Sequence, residues 1–172
     1  FEGIVSNKDL PNCSWTRSDA YQCGSRTASV NAWRTPFGGS KFAEFDASNS
    51  VYSQTRYFYS NGILLNAGIT YSASVWYNTP GYSTWYNFGL LYGPNQSPSG
   101  LTQLAIVNYP SNSNYESMSG TFQVPTAGLY YLSVKATENY YGSQLVWDDL
   151  RLEAPCQFSN NAASIALTGT TT

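Results

Sequence analysis

Two acidic segments hold the residues whose types and spacing suggest chemistry. Phe1-Glu2-Gly3-Ile4 opens the chain, and Leu145-Val146-Trp147-Asp148-Asp149-Leu150-Arg151-Leu152 lies toward its other end. Strand alternation in the second segment puts Val146, Asp148, Leu150 and Leu152 on one face, with Trp147, Asp149 and Arg151 on the other. A carboxylate in register with three aliphatic side chains is drawn toward the core, where an unpaired charge is costly. The pattern leaves four ways to meet that cost: a lysine or arginine partner, a protonated acid, a strand end open to water, or a bound metal.

Other chemistries lack their residues. Histidine is absent, which removes serine–histidine triads, cysteine–histidine nucleophiles and the usual histidine-based zinc sites. The three cysteines form no C-x-x-C, so neither a zinc cluster nor a redox motif is supported. A glycosidase needs two carboxylates about 5–10 Å apart across a cleft. On a regular strand Asp148 and Asp149 face opposite sides and cannot be that pair. Glu44 and Asp46 share a face, and Glu116 and Glu138 fall in loop-like stretches, but no nucleophile has an identifiable base. The expectation is a protein that is not an enzyme.

Composition narrows the partners. Charged residues make up 10% of the 172 residues and the net charge is −2, so there is no basic patch to grip phosphates and no nucleic-acid partner is expected. Solubility must come from Ser, Thr, Asn, Gln and the hydroxyls of 15 tyrosines, a surface common on secreted and sugar-binding proteins. No apolar run approaches the ~20 residues that cross a bilayer, so the chain is not expected to span a membrane. It starts at Phe1 with no initiator Met or signal peptide, as a mature segment or excised module would.

Cys13 and Cys23 flank nine residues, and in an oxidising compartment a local disulfide between them is expected, leaving Cys156 over. Cys156 pairing with either of them, if the chain ends meet, and three free thiols are the alternatives.

Helical periodicity is hard to find, whereas strand signals recur between Gly, Pro, Asn and Ser clusters. Ile69, Tyr71, Ala73, Val75 and Tyr77 alternate with Thr70, Ser72, Ser74 and Trp76. Tyr86, Phe88, Leu90 and Tyr92 form a stripe opposed by Trp85, Asn87, Gly89 and Leu91. Tyr130, Leu132, Val134 and Ala136 alternate with Tyr131, Ser133 and Lys135. Further strands are predicted around 41–45, 104–107, 121–124 and 146–152, with turns at Asn61-Gly62, Pro80-Gly81, Pro94-Asn95, Pro98-Ser99-Gly100 and Ala127-Gly128. Several evenly spaced strands with alternating faces predict an all-β fold, two antiparallel sheets packed as a sandwich or jelly roll. The character changes after Leu152, so the reading is a sandwich module over 1–153 and a linker with the start of a following module over 154–172.

The segments Phe1-Glu2, Leu10-Pro11 followed by Trp15, 39–45, 65–71 and Trp147-Asp148-Asp149-Leu150 together resemble one jelly-roll pattern. It is similar to the cleaved-adhesin modules of bacterial secreted proteases, to MAM domains, and to carbohydrate-binding modules of families 4, 9 and 22. The resemblance implies a galactose-binding-like jelly roll with a structural Ca2+ where the first and last strands meet. It would carry the metal-ligand roles onto Glu2 and Asp148, with backbone carbonyls near Gly39–Lys41 and also Asp46 as further oxygens. The Asp-rich loop near the start of many adhesin modules is reduced here to Asp19, so one metal is implied and not two.

On the assigned phase Trp76, Trp85 and Tyr131 point away from the core, beside Ser72, Ser74, Asn87, Ser133 and Lys135. If their strands share a sheet, they form a polar platform of flat rings, which suits a glycan. Asn87 would supply directional hydrogen bonds, and Tyr82, Tyr140 and Tyr141, in loops, would rim the site. Outward aromatics also pair across strands or lie under a loop or neighbouring domain. The functional expectation is a non-catalytic adhesive or carbohydrate-binding module of a larger secreted or cell-surface protein. Its partners would be a glycan or cell-surface protein and neighbouring domains of the same chain; the alternative is a structural spacer or protein-interaction module.

Overall fold

The computed structural model describes residues 10, 15–18, 23–27, 35–47, 53–79, 85–139 and 144–155. Eleven strands are formed among them: β1 (Thr16–Arg17), β2 (Cys23–Thr27), β3 (Lys41–Asp46), β4 (Thr55–Tyr59), β5 (Ile63–Leu65), β6 (Tyr71–Asn78), β7 (Trp85–Gly93), β8 (Thr102–Asn108), β9 (Glu116–Phe122), β10 (Gly128–Glu138) and β11 (Gln144–Glu153). They make two sheets. One has six strands, in the order β1-β4-β10-β7-β8 with β5 also pairing β10; the other has five, in the order β2-β3-β11-β6-β9. Every pairing is antiparallel. The expected all-β two-sheet sandwich is what the chain forms. No helix among the described residues is long and apolar enough to cross a membrane.

The core lies between the sheets and follows the period of two. In β6, Tyr71, Ala73, Val75 and Tyr77 are buried while the residues between them are only partly so. In β10, Tyr130, Leu132, Val134 and Ala136 do the same from the opposite sheet. Rings lock the two layers together. Phe58 of β4 meets Phe45 of β3 at 5.3 Å and Trp147 of β11 at 5.1 Å, both edge-on, and Tyr77 meets Phe88 at 5.1 Å. These are the separations at which aromatic quadrupoles attract.

Two predicted faces are inverted, each beside a bulge. In β7 the register against β10 runs Thr137 to Asn87 and then Glu138 to Trp85, so Tyr86 is the extra residue. One inserted residue swaps the faces beyond it. Trp85, expected to face outward, therefore enters the core at 1% exposure. In β11 the register against β6 jumps from Asp148–Trp76 to Arg151–Ser74, with Asp149 in the left-handed region at φ 56°. Leu145 and Trp147 are thus the core residues of this strand's first half, and Val146 and Asp148 lie on the outer side. Asp148 does not share the core face with Leu152, contrary to the uniform alternation.

Glu138, expected in a loop, ends β10 inside the sandwich. It forms a bidentate ion pair with Arg56, at 2.8 Å (Nη1–Oε2) and 3.2 Å (Nη2–Oε1), and both side chains are buried. The fork geometry lets each charge satisfy the other where water does not reach.

Candidate functional site

The outer face of the six-stranded sheet carries a cluster of polar and aromatic side chains. Cross-strand register sets its rows: Thr55–Thr137–Asn87–Asn108, Tyr57–Lys135–Gly89–Ile106 and Tyr59–Ser133–Leu91–Gln103, with Tyr131 opposite Gly93. The central strands β10 and β7 contribute small residues here, Ser133, Gly89 and Gly93, and all three are covered: Ser133 is fully buried, Lys135 lies over Gly89, and Gly100 and Leu101 close over Gly93. The Ser133 hydroxyl donates to the Phe58 carbonyl (2.9 Å), and Thr55 and Thr137 share a hydrogen bond of 2.8 Å. Tyr57 stacks on Tyr59 at 5.9 Å with planes 10° apart. Tyr57 stays partly exposed while Tyr59 is buried. Burial raises the hydroxyl pKa of both; that of Tyr59 is pushed up to about 12, with Tyr57 and Cys23 as lesser causes. Lys135 lies over Gly89, where an added Cβ would stand 3.0 Å from its Cε. Asn87 Oδ1 is shielded and has no hydrogen-bond partner among the described residues.

The expected platform is divided by the fold. Asn87 and Tyr131 do lie on this face. Trp76 points outward as expected, but from β6 of the opposite sheet, and Phe37 covers it, ring on ring at 4.1 Å and 12°. Trp85 is in the core and touches neither surface. Tyr82, Tyr140 and Tyr141 lie outside the described residues. Tyr57 was missed because 55–59 was not read as a strand. The signal was there: Thr, Tyr, Phe and Tyr flanked by Ser and Asn, but Arg56 on the inward phase broke the apolar pattern.

The expected metal residues are also separated. Asp148, 6% exposed, accepts N–H bonds from Gly38 (3.2 Å, Oδ2) and Asp149 (2.8 Å, Oδ1). Its pKa is raised by burial, which those two bonds only partly offset. Gly38 brings the 39–41 backbone to its side of the fold. Tyr115 lies within electrostatic reach; its pKa is raised first by burial and then by Asp148, and its shielded hydroxyl has no hydrogen-bond partner among the described residues. Asp46 does not belong here. It pairs with Gln144 at the other end of β3, about 13 Å from Asp148 at the rise of a strand. Lys41 begins β3 directly after the Gly38 turn, while Glu2 lies outside the described residues. No group of three or more His, Cys, Asp or Glu is assembled among the described residues. Cys23 is buried at the start of β2, and both Cys13 and Cys156 lie outside the described residues.

No family model matches the sequence, and no curated protein matches it either. Solved structures do. TmCBM61 in complex with β-1,4-galactotriose is similar with a TM-score of 0.58 at 17% identity, covering 81% of this chain and 88% of that one. The K1 cleaved adhesin domain of Lys-gingipain from Porphyromonas gingivalis W83 gives 0.60 at 10% identity, covering 84% and 92%. A cyclase from Fischerella sp. TAU in complex with 4-(1H-indol-3-yl)butan-2-one gives 0.57 at 17% identity, covering 85% and 86%. The expected likeness to cleaved-adhesin and carbohydrate-binding modules is therefore present, as a likeness of fold.

Proposed function

We propose that the chain is a non-catalytic carbohydrate-binding or adhesive module of a larger secreted or cell-surface protein, and that it binds through the outer face of its six-stranded sheet. The observation that carries this reading is the group of half-exposed side chains that the register brings together on that face, Tyr57, Lys135, Thr137 and Asn87, with Tyr131 two rows further along β10. A sugar ring offers C–H faces to tyrosine rings and hydroxyls to amide, hydroxyl and ammonium groups. Few charges and many neutral polar residues suit an extracellular setting and an uncharged ligand. The fold likeness to carbohydrate-binding modules and cleaved adhesins supports the reading, while the cyclase is why it is tested by binding and by turnover together.

The test is a glycan array followed by calorimetry on purified neutral polysaccharides, with product analysis after prolonged incubation, in which no turnover is expected. Tyr57→Ala and Tyr131→Ala are each expected to weaken binding by about 1–3 kcal/mol while the fold remains intact, as for rings that contact a ligand. Full affinity in both variants moves the site off this face. A protein that binds no polysaccharide but captures a cell-surface protein is the adhesive form of the same module.

Calcium at Asp148 belongs to this proposal. The donors fit a hard cation in kind: one carboxylate whose pKa burial raises, the Tyr115 hydroxyl with no partner among the described residues, and the 39–41 backbone nearby. Ca2+ would supply the missing positive charge and fasten the Gly38 segment to β11. Its role is structural.

A further inference from the structure

An open pocket of about 250 Å3 lies at the edge of the sandwich, away from the face just described. Residues 109–115 cross there from β8, the edge of one sheet, to β9, the edge of the other. Tyr77, Val107, Tyr109, Ser111, Asn112 and Glu116 line it. Asn112 fixes the crossing. Its backbone N–H donates to Thr79 Oγ1 (2.9 Å), its carbonyl accepts from the Thr79 N–H (3.0 Å), and its amide donates to the carbonyls of Tyr77 and Asn114 (both 2.9 Å). The rim is therefore set before any ligand arrives.

Three groups remain available inside it. Tyr109 is 67% exposed and is held at φ 49°, a conformation that disfavours any side chain larger than glycine's. Tyr86 buttresses its ring edge-on at 6.0 Å, and its N–H donates to the Tyr86 carbonyl (2.9 Å). Strain of this kind persists where a side chain must be presented. Glu116 is exposed, with Oε2 accepting from the Tyr77 hydroxyl at 3.1 Å and Oε1 without a partner among the described residues. Burial pushes the Tyr77 hydroxyl up to about 12, with the Glu116 bond a lesser cause, so the hydroxyl stays a donor and orients the carboxylate. Ser111 is exposed on the rim with its hydroxyl open.

We propose that this pocket is a second binding site that takes the terminal pyranose of a neutral saccharide, its C–H face on Tyr109 and its hydroxyls on Glu116 and Ser111. A carboxylate with no cation among the lining residues turns away anionic ligands and accepts from neighbouring sugar hydroxyls. The volume lies just under the usual range of small-molecule pockets, which leaves room for about one sugar ring. The crossing walls one side, and room for about one ring suits the end of a chain. The proposal stands on the pocket's own chemistry and does not depend on the sheet face.

The test is amide chemical-shift mapping of the intact chain with methyl β-galactoside, methyl β-glucoside and methyl β-xyloside, then with neutral oligosaccharides built from the same sugars. Saturable shifts at residues 109–116 are expected with at least one glycoside, at a dissociation constant of about 1 mM, and with an oligosaccharide ending in that sugar. Tyr109→Gly removes the ring yet suits the left-handed backbone, so it should melt no lower than the parent while affinity falls about tenfold or more. Glu116→Gln should weaken binding similarly, and Tyr57→Ala should leave it unchanged. The proposal is overturned if no glycoside shifts these amides, if the shifts survive Tyr109→Gly and Glu116→Gln, or if they vanish with Tyr57→Ala. Pocket shifts without sheet-face binding would sink only the preceding reading, and sheet-face binding without pocket shifts only this one.

Discussion

Tyr59 is one of the residues whose buried polar atom the fold leaves unmatched among the described residues. Its ring is buried under the outer row of the six-stranded sheet, and its hydroxyl has no hydrogen-bond partner among the described residues. A buried hydroxyl left unmatched costs about 1–3 kcal/mol, whereas its removal costs only the packing of one oxygen. Tyr59→Phe should therefore leave stability unchanged or raise it by about 1 kcal/mol, read as the urea midpoint. The same burial fixes an alkaline signature. The folded pKa of about 12 lies above the ordinary 10.0, so the folded state holds its proton longer than the unfolded chain does. Stability from this group is complete below pH 10 and declines as pH rises toward 12. Tyr59→Phe should flatten part of that decline. A decline of unchanged depth would mean that Tyr59 ionises as freely in the fold as outside it.

At the scale of the strand, the legible elements were those whose alternation runs uninterrupted. β6 shows its buried and half-buried residues in strict turn, and β10 keeps one phase from Tyr130 to Ala136. Both faces could be assigned from side-chain type alone. β7 and β11 could not, because one residue too many beside Tyr86 and at Asp149 reverses the faces, and no residue type advertises it. Trp85 and Trp76 look alike in sequence, but one is core and the other lies under Phe37. The candidate site was thus half legible: Asn87, Tyr131 and Lys135 follow from regular stretches, while Tyr57 and the division between sheets need the register. A different constraint sits where β8 and β9 meet. A Cβ at Gly120 would stand 2.9 Å from both the carbonyl oxygen and the Cβ of Leu104, so the edges approach backbone to backbone. Neither chain can yield cheaply. Gly120→Ala should cost about 1–3 kcal/mol in unfolding free energy, as overpacking does. An unchanged urea midpoint would show that the two edges are free to part.

For the whole molecule, the fold leaves the activity open, since one sandwich serves TmCBM61, a cleaved adhesin domain and a cyclase alike. What distinguishes this chain is where its few charges are placed. Arg56 and Glu138 neutralise each other inside the sandwich, and Arg151 pairs with Asp149 at the surface. Asp148 alone among these carboxylates is buried with no side-chain cation hydrogen-bonded to it among the described residues. If Ca2+ completes that site, the ion stabilises the entire fold by mass action, by about 2.7 kcal/mol at a hundredfold excess over its dissociation constant. The expected result is a melting temperature that rises with added calcium and falls after exhaustive chelation. Asp148→Asn keeps the shape and one acceptor, so it should still fold, but with a melting temperature indifferent to calcium. Asp46→Asn, about 13 Å along the sheet, should keep the full calcium response. Equal melting of the parent with calcium and with chelator, together with no metal by elemental analysis, would leave Asp148 as a carboxylate held by Gly38 and Asp149 alone.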